Sequence, residues 1–336
     1  MVSHKEPAQR ASGSQSICDP PAGIRLPPAS GPCPETSDTK GFEAVENISP
    51  REVGPLNHMA PSKDQDEQTK KIVEYYKNVA DEYDRNYDAP YWRDFYDKIT
   101  WAFIEPYLPQ KGEVLDAGGG TGKWSIPMAA RGLQVTLVDL SKEMLAVASA
   151  KIEWESLQKS VTVKQGDIRN LDFPSNNFDF VLAAGDAVSY CGDGEKAISE
   201  LTRVVKPSRH IVVSVDSVYP LMRRRLLEDL DFDAAVLFLT ERKFEVRGAG
   251  FESRAFTPEE LRELLDKRGF EVLKIIGKPV SLGISNENVN QILSDPEAAK
   301  KLLRLQMMLC EVPSISGFGG HLQAVARKRR LSPRLR

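Results

Sequence analysis

Cysteine is scarce in this 336-residue chain: Cys18, Cys33, Cys191 and Cys310 are scattered, with no C-x-x-C pair among them. Such spacing argues against a zinc site and against a disulfide framework, and it suits a reducing compartment. Histidine is as rare, and since His4 and His58 lie in the N-terminal stretch, only His210 and His321 are left as imidazoles for a core. No metal-ligand constellation accompanies either in the sequence, so no metal is expected. Positive charge is not in excess: 45 Lys and Arg against 48 Asp and Glu give a formal net charge of −3. Without a global positive field, nucleic acid is a disfavoured partner. No apolar run approaches the roughly 20 residues that cross a bilayer, and the N-terminus lacks the apolar stretch of a signal peptide. The expectation is a cytoplasmic protein without a transmembrane segment.

What is present begins with a Pro-, Ser- and Gly-rich stretch over residues 1–65 that has neither helical nor strand periodicity and reads as a disordered extension. Glu6 and Asp19 break the acid-poor pattern of a transit peptide, and Met59 is an alternative start. Residues 66–330 read as one α/β domain, and 331–336 as a tail. Aromatic-rich helices precede Pro106 and Pro109, after which strand-like and helix-like segments alternate. Strands are expected at 113–117, 134–139, 161–165, 178–184, 210–215, 270–276 and 321–327. Near-continuous apolar runs such as VTLV and IVVSV suit strands covered on both faces, hence a doubly wound, mostly parallel sheet. Thr257, Pro258 and Glu260 spell a capping box, and Ser141 an N-cap. Two further segments, about 217–255 and 283–316, read as helical cap insertions. Within them Arg223, Arg224 and Arg225 either bind an anion or, with more weight, are solvated beside Glu228 and Asp229.

The strongest motif is VLDAGGGTGKW, residues 114–124, where a hydrophobic strand turns into a helix. Glycines let backbone approach a ligand closely, and a helix N-terminus offers unpaired N–H groups. The dinucleotide pattern fails because Lys123 stands where its last glycine belongs, and a Walker loop fails because Lys123 is followed by Trp124. What fits is D-x-G-x-G-x-G, from Asp116, Gly118, Gly120 and Gly122.

Here the chain resembles the class I, Rossmann-like S-adenosylmethionine-dependent methyltransferases, with a methyltransferase domain similar to the ubiquinone, menaquinone and small-molecule type. The resemblance covers about residues 70–280 with a terminal strand. It implies a seven-stranded sheet with an antiparallel last strand, S-adenosyl-L-methionine as cofactor, and metal-independent in-line methyl transfer to a small-molecule acceptor. By that resemblance the glycine loop supports the methionine and ribose portions, and Asp139 binds the ribose hydroxyls. Asp167 with Ile168 takes the adenine amine, Leu140 and Met144 pack on the ring, and Ala184 borders the site. Tyr75, Tyr83 and Tyr87, from an N-terminal lid helix, would line the methionine end, although helix packing explains Tyr75 equally well. KPSRH, residues 206–210, departs from the usual Lys-Pro-Gly-Gly turn before the fifth strand.

The same family presents groups to the methyl acceptor where the fourth strand ends, at AAGDAVSYC, residues 183–191. Asp186 is the ionisable candidate there, either orienting and deprotonating the acceptor or capping the next turn. Tyr190 would add a second contact. His321, which opens the last strand, is a candidate base with loop geometry as the alternative, whereas His210 reads as a core residue. The cap insertions are expected to choose the acceptor, because ligands of open α/β sheets sit beyond the strand C-termini. Protein or RNA methylation, or a cofactor-binding module without catalysis, are the competing readings.

Overall fold

The computed structural model describes residues 63–85, 90–246, 248–281 and 287–330. The expected disordered extension therefore falls outside the described residues up to 62, while 63–65 already belong to the first helix; Tyr87 and the 331–336 tail also lie outside them.

In chain order the elements are α1 (Lys63–Val79), α2 (Pro90–Ala102), β1 (Glu113–Ala117), α3 (Ser125–Ala129), β2 (Gln134–Asp139), α4 (Lys142–Trp154) and β3 (Val161–Gln165). There follow β4 (Phe178–Ala183), α5 (Ala187–Tyr190), α6 (Gly194–Val204), β5 (Val205–Asp216), α7 (Val218–Leu227), α8 (Phe232–Glu241), β6 (Lys243–Glu245) and β7 (Glu252–Arg254). The chain closes with α9 (Pro258–Lys267), β8 (Phe270–Lys278), α10 (Glu287–Ser294), α11 (Pro296–Leu309), α12 (Pro313–Ser316) and β9 (His321–Lys328).

Seven strands form one sheet in the order β3-β2-β1-β4-β5-β9-β8. The pairs among β1 to β5 are parallel, and β9 is antiparallel to both its neighbours. Alternation along each strand supplies two cores. Leu115 and Val181 pack on one face with Leu201 and Leu261. Their neighbours Val114, Phe180 and Leu182 pack on the other with Ile99, Met128 and Ile152. Burial on both faces is why these strands read as unbroken apolar runs.

The caps form as spelled. Ser141 Oγ accepts from Met144 N at 3.2 Å, and Thr257 and Glu260 bond reciprocally at 3.2 and 2.9 Å. Each such cap stabilises its helix by about 1 kcal/mol. Two expectations are corrected. The KPSRH segment is not a turn ahead of the fifth strand: β5 already starts at Val205 and runs through it, with Ser208 at φ 63° and a register shift opposite Phe178–Phe180. The 217–255 insertion is helical only in part, because β6 and β7 form a two-stranded hairpin, each three residues long and too short to show a period.

The order of strands reverses between β1 and β4, and a crevice opens beyond the strand ends at that switch point. Among the described residues no helix is long and apolar enough to cross a membrane.

Candidate active site

The end of β1 delivers the glycine loop to the crevice. Gly118 at φ 74° and Gly120 at φ 53° occupy left-handed backbone, and a Cβ on Gly118 would sit 2.5 Å from Ala187 Cβ. A side chain is thus barred twice, by conformation and by space, which leaves bare backbone facing the cavity. Asp139, at the end of β2, fastens this loop: its carboxylate accepts from Gly120 N and from Ser141 N, both at 2.9 Å. Burial pushes its carboxyl above the ordinary range, against the pull of those backbone donors. Each oxygen spends one lone pair on backbone, so acceptor capacity remains for the two hydroxyls of a ribose.

One cavity of about 420 Å³ runs from this loop past Leu140, Met144, Ile168 and Ala184 to Asp186, Tyr190 and His321. Such a volume is typical of small-molecule sites. Tyr75, Tyr76 and Tyr83 reach it from α1 and the turn after it, and Val246 and Phe251 from the β6–β7 hairpin. Tyr75, Tyr76 and Tyr190 each meet the Phe251 ring, at centroid distances of 5.7, 6.4 and 5.4 Å. The roof is tied by Gln68 of α1, which donates to Tyr190 O and Glu252 O and accepts from Glu252 N. Asp84 latches the far side, accepting from Thr121 Oγ1 at 2.9 Å and from Lys151 Nζ at 2.8 Å. That pairing holds its carboxyl below the usual value in spite of burial.

At the other end, β5, β9 and β8 place Asp216, His321 and Lys278 in one row across the sheet. His321 Nε2 lies 3.3 Å from Asp186 Oδ2 and 3.7 Å from Asp216 Oδ1. Ser253 Oγ donates to Asp216 Oδ2 at 2.6 Å. Burial, with the like charge of Asp186 adding to it, pushes the Asp216 carboxyl up to about 7. Asp186 is 6% exposed, and its Oδ1 has no hydrogen-bond partner; neither has His321 Nδ1. Asp186 adopts φ 64° and makes no side-chain cap to α5, so the capping alternative does not describe its geometry. Strained backbone of this kind is held where the surroundings over-determine it, commonly at functional sites. Burial pushes the Tyr190 phenol well above its ordinary value, with Asp216 and Asp186 adding to the effect, which keeps it a donor. Lys278 is fully buried and held by Gln323, Ser214 and Thr100 at 2.7, 2.8 and 3.2 Å; burial brings its amine down to about 7.

Several sequence-assigned residues are not on the cavity wall. Asp116 lies beneath the loop, where Ser125 Oγ donates to it at 2.7 Å and burial pushes its carboxyl up to about 7. It supports the loop from below. Gly122 packs against α4, an added Cβ meeting Ala148 Cβ at 3.4 Å. Asp167 turns onto Arg169 two residues later, accepting from its Nε at 3.0 Å, while its neighbours Gly166 and Ile168 line the cavity. The reading that no metal-ligand set accompanies His321 is also corrected: ligand atoms of Asp186, Asp216 and His321 lie within 4.8 Å of one another. Of the described residues of the cap insertions, only those of the hairpin, Val246 and Phe251, line the cavity. Arg224 and Arg225 pair with Glu228 and Asp229 on the surface. Residues missing from the sequence reading include Asp216, Lys278, Phe251 and the Asp97 carboxylate that pairs with Lys123 and Arg93.

Comparison with known proteins follows the same lines. A methyltransferase-domain family profile matches residues 114–208. A putative methyltransferase of Bacillus subtilis is 29% identical over 205 residues, covering 54% of this chain and 81% of that protein. The tRNA 5-carboxymethoxyuridine methyltransferase of Escherichia coli is 23% identical over 261 residues, covering 75% and 95%. Other methyltransferase relatives match at 33–39% identity, but there the chain spans about half of the relative or less. Among solved structures, a Pyrococcus horikoshii protein superposes with a TM-score of 0.51 at 17% identity, over 76% of this chain and 99% of that one, which bears on the fold.

Proposed function

We propose that this chain, a class I S-adenosylmethionine-dependent methyltransferase, transfers the methyl group to a small-molecule acceptor enclosed beneath α1 and the β6–β7 hairpin. The observation that carries the reading is the single cavity joining the glycine loop and Asp139 to Asp186, Tyr190 and His321. The bare backbone of Gly118 and Gly120 and the spare acceptors of Asp139 suit the ribose of the cofactor. Leu140, Met144 and Ile168 give an apolar slot for its adenine. Bound there, S-adenosylmethionine supplies an activated methyl group on a sulfonium.

The protein's own part is alignment and proton handling. Holding acceptor and methyl in line converts a bimolecular step into a unimolecular one, worth about 7–11 kcal/mol in well-oriented systems. Asp186 holds the acceptor's proton-bearing atom and passes the proton to His321 Nε2. Tyr190 donates from the roof side. Asp216, fixed by its bond to Ser253, stands 3.7 Å behind Nε2, where its charge favours the protonated imidazole. The aromatic roof excludes water, and its closed shape favours a small acceptor over a polynucleotide in a cytoplasmic setting.

Mass spectrometry of the purified chain for retained adenosyl cofactor, then a screen of metabolite extracts for gains of one methyl group, tests this reading. Formation of S-adenosylhomocysteine with the small-molecule fraction is the expected result. Turnover with transfer RNA and none with small molecules would overturn it.

A further inference from the structure

We infer that the acceptor is a primary or secondary amine that enters as its cation and carries a flat, apolar body. The inference rests on the methyl-transfer reading above and names its substrate class. Its basis is the unequal charge of the cavity. Lys123 and Arg93 are countered by Asp97, and Lys278 is occupied by three neutral oxygens. Asp186 and Asp216 face each other across His321, neither ion-paired with a Lys or Arg among the described residues, and Asp186 Oδ1, buried in the cavity wall, accepts from nothing; the one such cation near enough to feel Asp186 is Lys278, whose amine burial brings down to about 7. A buried acceptor without a donor is costly, and a ligand that supplies the donor recovers that cost.

An alkylammonium offers up to three N–H donors and a positive charge, so it suits the Asp186 carboxylate on the cavity wall, with Asp216 buried behind it, better than a hydroxyl does. A carboxylate or phosphate acceptor would meet like charge. Beside the acids stands an aromatic wall of Tyr75, Tyr76, Tyr190 and Phe251, joined to them through Tyr190. Aromatic faces attract a desolvated cation and pack on a flat body.

The chemistry closes without a further reagent. The ammonium gives one proton to the Asp186 carboxylate, which relays it to His321 Nε2 at 3.3 Å. The neutral nitrogen then uses its lone pair to form the new N–C bond as the C–S bond breaks, the bonding pair leaving with sulfur. The product carries the positive charge that the sulfonium loses, and the proton on His321 returns to solvent.

The test is calorimetric titration of the full chain loaded with S-adenosylhomocysteine. The probes are phenethylamine, its hydroxyl isostere 2-phenylethanol and 3-phenylpropionate, repeated with tryptamine against indole-3-ethanol. Each amine should bind at least tenfold tighter than its alcohol, and the carboxylate not at all. Asp186→Asn, at unchanged melting temperature, should weaken the amine tenfold or more and leave the alcohol within twofold. If that variant does not fold, the amine-to-alcohol ratio of the unchanged chain decides alone. Alcohols binding as tightly as amines would overturn the inference and leave the methyltransferase reading intact. Failure of S-adenosylhomocysteine to bind at all would bring down both. Manganese(II) binding that Asp186→Asn abolishes and that blocks the amine would assign the cluster to a divalent cation and overturn the amine.

Discussion

Replacing Asp139 by Ala strips the cavity of the carboxylate that serves two neighbours at once. In the folded chain its oxygens hold Gly120 N–H and Ser141 N–H at 2.9 Å and keep lone pairs for the ribose diol. A hydrogen bond to a charged group contributes about 1.5–3 kcal/mol, so two of them bound the effect near 3–6 kcal/mol. They share one acceptor group and are not additive. One bond sets the floor, and at about 1.4 kcal/mol per decade that is a tenfold loss of cofactor affinity or more. The structural cost is about 1–3 kcal/mol, because Gly120 N–H borders the cavity while Ser141, 1% exposed, is left with a buried N–H lacking that partner. Calorimetry with S-adenosylhomocysteine, beside a thermal melt, separates the two effects. A folded Asp139→Ala variant that binds within twofold of the parent would refute the ribose assignment.

Asp186→Asn should lower turnover at least tenfold while cofactor affinity and melting temperature stay nearly unchanged, since its side chain makes no cap to α5; normal turnover would remove it from the chemistry. Asp84→Ala frees the latch on Thr121 and Lys151, an ion pair exposed enough to be worth under about 1 kcal/mol. Stopped-flow release of S-adenosylhomocysteine should quicken about two- to fivefold, and an unchanged rate would show that the segment does not gate exit. Stability should pass through a minimum near neutrality. Asp116 and Asp216, raised from 3.8 to about 7, keep protons in the fold that the unfolded chain has lost, so stability falls from about pH 4 to 7. Lys278 and Lys123, lowered from 10.5 to about 7 and about 8, are deprotonated in the fold where the unfolded chain still binds protons, so stability recovers toward pH 9, above which the Cys191 and Cys310 thiols, raised from 9.0 to about 12 and about 11, oppose the rise. Urea melts at pH 5, 7 and 9 should give the lowest value at 7, with Lys278→Met flattening the alkaline rise; a steady increase from pH 5 to 9 would contradict the burial argument.

The sheet and the glycine-loop end of the cavity were legible because their signals are local. Strands buried on both faces announce themselves as apolar runs, the glycine loop as a spacing, and Ser141 and Thr257 as caps next to the groups they cap. Asp139 could be found because the acid ending β2 stands at a set interval behind that loop. The far end of the cavity was legible only in pieces. Asp186 and His321 are 135 positions apart and meet because β9 inserts beside β5, a register that no local pattern encodes. Asp216 and Lys278 were missed for the same reason: they terminate apolar strands, and only the cross-strand row makes them neighbours of His321. Asp167 shows the opposite failure, a residue at the expected place whose carboxylate is taken by Arg169, two residues away in the same turn.

The position of β9 has a consequence for how the enzyme is completed. It is the last strand among the described residues, yet it occupies an interior place in the sheet, with β5 on one side and β8 on the other. As the chain is synthesised, the loop, Asp139 and Asp186 are all available once β4 and α5 have formed. Until residue 321 emerges, β8 has no strand to pair with, and Asp186 and Asp216 have no imidazole between them. A chain cut between Tyr190 and Gly320 would thus retain the loop, Asp139 and Asp186 and lack His321, so that on the reading proposed above capture of cofactor and competence for turnover are written in separate stretches of the polypeptide.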